Sequence, residues 1–161
     1  MTGEQSDAPT RTGTVEVTKE GPSVRILVLT DRAEPTPALL QAIARRALTD
    51  SAQFRLVVLN PARAEVHALH PERHEKAHEA ETVLRQALPE LERAAGGHVI
   101  GSVSVRHDPM DAIEETIFNE PIHEIMLSVP HHELTSRLHQ DLPHRLAHFG
   151  LPVTVVPRSA P

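Results

Sequence analysis

Cysteine is absent from the 161-residue chain, which excludes a disulfide scaffold, a thiolate metal centre and a cysteine nucleophile. Aromatic residues are nearly absent. Three Phe, with no Trp and no Tyr, leave no row of flat rings on which a single-strand reader could stack bases. Dense cationic runs are missing as well, and 16 Lys and Arg against 22 Asp and Glu give a formal net charge of -6 at pH 7. Affinity for nucleic acid rests on neutralising phosphate, so nucleic acid is not an expected partner. No stretch approaches the roughly 20 apolar residues that span a bilayer, and Met1 to Pro22 contain no apolar signal core. The expectation is a cytoplasmic protein with no membrane partner. What is present, 39% hydrophobic residues in 161, suffices for one substantial core.

Residues 1–22 mix Gly, Ser, Thr, Pro and charge without an apolar period and are expected to form a disordered tail, with one α/β domain over 23–158. From Val24 the character changes. Val24 to Leu29, Phe54 to Leu59, Val99 to Val105, His123 to Val129 and Val153 to Val156 are short apolar runs of the kind that buried strands give, the third being interrupted by Gly101, Ser102 and Ser104. Helical patterns separate them. Thr36-Pro37 and Asp108-Pro109 each pair a capping side chain with proline at the first helical position, and Gly96-Gly97 and Gly150 supply stops. In the second helix Ala77, Ala80, Leu84, Ala87, Leu88 and Leu91 form an apolar stripe, which Pro89 is expected to bend or restart. The fourth helix is read from Leu134 to Phe149. Strands alternating with helices imply right-handed crossovers and a parallel sheet covered on both faces.

Ile26 to Asp31, His107 to Ile113 and His123 to Val156 together resemble the universal stress protein family. Ile26-Leu27-Val28-Leu29-Thr30-Asp31 is similar to the family's opening strand, which ends in an Asp facing the adenine end of a nucleotide. His107-Asp108-Pro109-Met110-Asp111-Ala112-Ile113 resembles the Gly-Asp-Pro-x-x-x-Ile start of its third helix, with His107 where Gly is common. His123 through Val156 reads as strand, loop, helix and a closing Leu151-Pro152-Val153-Thr154-Val155-Val156 similar to the family's last strand. The resemblance spans about Val24 to Val156 and implies a five-stranded parallel sheet in the order 3-2-1-4-5 with helices on both faces. In that order Val153–Val156 is an apolar edge strand, and exposed edges recruit another chain, so a homodimer through it is expected.

ATP-binding members of the family carry G-x2-G-x9-G-[ST] after the fourth strand, where glycine lets backbone N–H groups approach phosphate. That spacing falls on Ser128, His131, Asp141 and Leu142, and none of them matches. The resemblance is therefore to the branch that does not bind ATP, and no cofactor is expected. Any small ligand is expected at the carboxyl ends of strands one and four, where the winding direction changes. Thr30, Asp31, Asn60, Ser128, Val129, Pro130, His131, His132, Arg137 and Asp141 are the candidate lining. Asp31 alternatively caps a turn, His131-His132 alternatively forms a solvated loop, and Asp141 alternatively caps the fourth helix ahead of Pro143.

His74-Glu75-Lys76-Ala77-His78 matches H-E-x-x-H, in which two His one helical turn apart bind zinc and Glu acts as base. Its surroundings argue against a zinc site, since Lys76 places a cation beside the metal and Glu72 and Arg73 make the flank polar. No nucleophile elbow, phosphate-binding loop or paired-carboxylate arrangement is present. The twelve His bring charge neutrality near about pH 6, as a solvated surface or a pH response. The expected function is a non-catalytic stress-response or regulatory module. The alternatives are a sensor of a nucleotide-like or other anionic ligand, bound through His131, His132 and Arg137, and a zinc-dependent hydrolase using His74, Glu75 and His78.

Overall fold

Apolar runs too short for helices become strands here, and the capped, 3.6-periodic segments between them become the covering layers. The computed structural model describes residues 23–32, 34–49, 51–59, 73–104, 108–129 and 142–157. The tail read over residues 1–22 lies outside them. The elements follow one another as β1 (Val24–Thr30), α1 (Pro37–Thr49), β2 (Ala52–Leu59), α2 (Arg73–Ala95), β3 (Ile100–Ser104), α3 (Pro109–Asn119), β4 (Glu124–Ser128), α4 (Leu142–Ala147) and β5 (Val153–Val155). All strand pairings are parallel, and the sheet order is β3-β2-β1-β4-β5. This is the expected order. Of the fourth helix read from Leu134, only Leu142 onward falls among the described residues.

Alternation along each strand divides the core into two clusters. Ile26, Val28, Leu56, Val58 and Met126 point toward α1 and α2, where Leu39, Ile43, Ala87 and Leu91 meet them. Leu27, Leu29, Val57, Leu59, Ile125 and Leu127 point the other way, toward Met110 and Ile113 of α3 and Leu142 and Leu146 of α4. Burial on both faces explains why β1 and β2 read as nearly continuous apolar runs. The edge strand β3 differs. Its register places Gly101 and Val103 on the α2 side and Ile100, Ser102 and Ser104 on the α3 side. The serines that weakened this strand in the sequence stand next to a recess that α3 leaves open.

Local signals act where they were read. Thr36 Oγ1 accepts the Leu39 N–H at 3.2 Å, and Asp108 Oδ1 accepts the Met110 N–H at 2.9 Å, each ahead of a proline that needs no acceptor. Helix α2 ends on Gly96 at φ 68°, with Gly97 N–H donating to the Glu92 carbonyl and Gly96 N–H to that of Arg93. Of the two outcomes expected at Pro89, a bend or a restart, the restart does not occur, since α2 is continuous from Arg73 to Ala95. A proline inside a helix costs ~3 kcal/mol. The apolar stripe stays in phase across it, however, with Ala87 and Leu91 fully buried and Leu84 and Leu88 packed alongside. Burying a leucine is worth roughly 1.5–3 kcal/mol, and Pro89 itself is exposed, where water can reach the carbonyl it leaves without a donor.

Candidate functional site

β1 and β4 are neighbours whose chains leave the sheet toward helices on opposite faces, which makes their carboxyl ends the switch point of the fold. Thr30 and Ser128 lie opposite each other in the β1–β4 register, 2% and 1% exposed. Thr30 Oγ1 accepts the Arg32 N–H at 3.3 Å, a small turn that directs the chain away from the strand. Asp31 follows, with Oδ1 shielded from solvent, and Val129 continues beyond Ser128 with its side chain buried in the α3–α4 cluster. Of the expected crevice residues, Thr30, Asp31, Ser128 and Val129 are thus brought together. The Val129 side chain itself belongs to the core. Asn60, Pro130, His131, His132, Arg137 and Asp141 lie outside the described residues.

An ion pair missing from the sequence reading borders this edge. Asp108, the cap of α3, receives Arg145 Nη1 on Oδ1 and Oδ2 at 3.2 and 3.1 Å and Nη2 on Oδ2 at 3.1 Å. This fork joins the start of α3 to α4. The sequence marked Asp108 as a cap but offered no sign of Arg145, which lies 37 positions away.

The opposite, amino edge carries a second polar cluster. Arg55 Nε donates to Glu120 Oε1 at 2.9 Å, and Arg25 Nη1 lies 3.7 Å from Glu120 Oε2. On the other face Arg46 Nε donates to Glu124 Oε2 at 2.9 Å. One signal for this cluster was legible: an arginine interrupts the first half of each of two mostly apolar strands, at Val24-Arg25-Ile26 and Phe54-Arg55-Leu56.

For the zinc reading, the backbone of residues 73–95 is helical, so positions 74 and 78 are one turn apart. His78 is exposed, whereas the side chains of His74 and Glu75 lie outside the described residues. Among the described residues no three His, Cys, Asp or Glu side chains gather as a metal site. No described helix is long and apolar enough to cross a membrane.

No protein-family model matches the chain, and no curated protein matches its sequence. Among solved structures, a universal stress protein from Archaeoglobus fulgidus is similar, with a TM-score of 0.53 at 16% identity over 83% of this chain and 93% of that one. At this identity the likeness shows the fold. It extends over almost all of the other protein, so the two share a whole architecture rather than one βαβ unit.

Proposed function

We propose that the chain is a non-catalytic regulatory module of the universal stress protein type, working in a stress response and not through ATP. The observation that carries this reading is the pairing of that sheet order with a sequence that has no glycine at the cradle positions after β4. Ser128 closes β4, and the chain contains no glycine between Gly101 and Gly150. Gly150 is spent on ending the α4 segment, at φ 65°. Side chains at cradle positions keep phosphate oxygens from the ~3 Å approach to backbone N–H groups that binding needs.

The active form is proposed to be a cytoplasmic homodimer joined through Val153–Val156. Support comes from β5, a three-residue edge strand whose Val155 is 41% exposed. β5 ends at Val155, and Val156 beyond it still donates its N–H to the Leu127 carbonyl at 2.8 Å, with its side chain buried in the α1–α2 cluster. A second reading is favoured by the buried Thr30–Ser128 pair at the switch point: a sensor of a nucleotide-like or other anionic ligand, with His131, His132 and Arg137 supplying donors in place of glycine N–H groups.

A thermal-shift panel of nucleotides, simple anions and divalent metals on the full chain separates these readings. A ligand at 100 times its Kd stabilises the folded state by ~2.7 kcal/mol, which for a chain of this size raises Tm by about 5–10 °C. The regulatory reading expects no such rise with any nucleotide or metal. A rise with nucleotides promotes the sensor, and one with zinc alone revives the hydrolase.

A further inference from the structure

We propose a second site at the amino edge of the sheet, a recess that takes a small organic carboxylate on the guanidinium of Arg55. The recess has a volume of ≈ 220 Å³ and is lined by Arg25, Gln53, Arg55, His98, Ile100 and Glu120, together with Phe54. It lies at the end of the strands remote from Thr30 and Ser128 and does not depend on the function proposed above.

Arg55 carries the argument. Its side chain is only 16% exposed, and its one protein hydrogen bond among the described residues runs from Nε to Glu120. The two terminal nitrogens therefore present four N–H donors that no described protein group accepts. Burying a guanidinium with its fork empty is costly, whereas a carboxylate matches that fork with two parallel hydrogen bonds. Arg25 is differently employed, since its Nη2 donates to Gln53 Oε1 at 3.3 Å and its Nη1 faces Glu120. It supplies charge rather than a free fork. Two arginines against Glu120 leave one net positive charge, while His98 Nδ1 is held at 2.8 Å by Glu92 Oε1.

Ile100 sets the ligand's other half. It sits beside Arg55 in the β2–β3 register and is 52% exposed, an apolar wall next to the fork. A carboxylate with a short hydrocarbon tail satisfies both surfaces, and inorganic phosphate satisfies only one. The adjoining recess of ≈ 240 Å³ between β3 and α3 shares Arg55 and Glu120 but adds Glu115, so its charge balance turns negative and favours placing the anion on the Ile100 side. The carboxylate could belong to a free acid or to the end of a peptide chain.

Two-dimensional amide NMR of the full chain, titrated with butyrate, butyramide, inorganic phosphate and a short peptide with a free or amidated C-terminus, tests the site. Butyrate or the free-ended peptide should give saturable, one-to-one shifts centred on Arg55, Ile100 and Gly101, with the amides at least tenfold weaker; which of the two binds tighter identifies the source. Arg55→Lys keeps the charge opposite Glu120 but loses the fork, so binding should fall roughly tenfold or more. Its melting curve should stay close to that of the parent. Glu120→Gln removes the competing carboxylate and should tighten binding. Absence of saturable shifts at about 10 mM ligand, equal binding of acid and amide, tighter binding of phosphate, or an unaffected Arg55→Lys variant would each overturn the proposal.

Discussion

The carboxylate of Asp108 does two jobs at once, capping α3 through the Met110 N–H and holding Arg145 of α4 in three hydrogen bonds of 3.1–3.2 Å. The two jobs differ in energy. The pair is 36% exposed at Arg145 and 42% at Asp108, so solvent screening limits it to at most about 1 kcal/mol. Losing a cap costs ~0.5–2 kcal/mol. Arg145→Ala is therefore expected to cost less than Asp108→Ala in urea denaturation, and Asp108→Asn, which keeps the cap, should behave like Arg145→Ala. If Asp108→Asn were as damaging as Asp108→Ala, the ion pair and not the cap would be the stabilising element.

Gly101 reads in the sequence as an interruption of β3, and the structure gives it a purpose. A Cβ there would come within 2.5 Å of Leu84 Cδ1 and 3.0 Å of Leu88 Cδ2, so the missing side chain is what lets α2 lie against the edge strand. Both neighbours are ends of flexible side chains. Gly101→Ala is expected to be nearly neutral, because the leucines can swing aside while the unfolded chain loses ~0.4–1 kcal/mol of conformational freedom. Gly101→Val fills space that the leucine stems occupy and should cost about 1–3 kcal/mol. Equal effects of the two substitutions would show that the strand edge is loosely packed.

The fold was largely legible because parallel strands buried on both faces leave continuous apolar runs, as in Val24 to Leu29 and Phe54 to Leu59, and because Thr36-Pro37 and Asp108-Pro109 mark helix starts unambiguously. At Pro89 the sequence left a bend and a restart both open, since local propensity says break while the stripe through Leu84, Ala87, Leu88 and Leu91 says continue, and burial removes the restart. The candidate site was legible only where it coincides with strand ends. Thr30, Asp31, Ser128 and Val129 follow from topology, whereas Asp108–Arg145 and Arg55–Glu120 join residues 37 and 65 positions apart, which no local pattern encodes.

The proposed dimer rests on β5. Val155 is exposed although it follows the buried β4 pairing, and Thr154 is exposed beside it. Placing a charge on this edge, with Thr154→Lys or Val155→Glu, should convert a dimer into a monomer in sedimentation velocity at micromolar concentration, with the far-ultraviolet circular dichroism unchanged. A parent protein that already sediments as a monomer, or a dimer indifferent to both charges, would remove this interface.

The central claim, that this fold operates here without the nucleotide cradle, is tested most directly by isothermal calorimetry of the full chain with Mg-ATP. The account predicts only heats of dilution at micromolar nucleotide and no release of phosphate on incubation. A one-to-one isotherm with low-micromolar affinity would contradict it and would promote the sensor reading in its place.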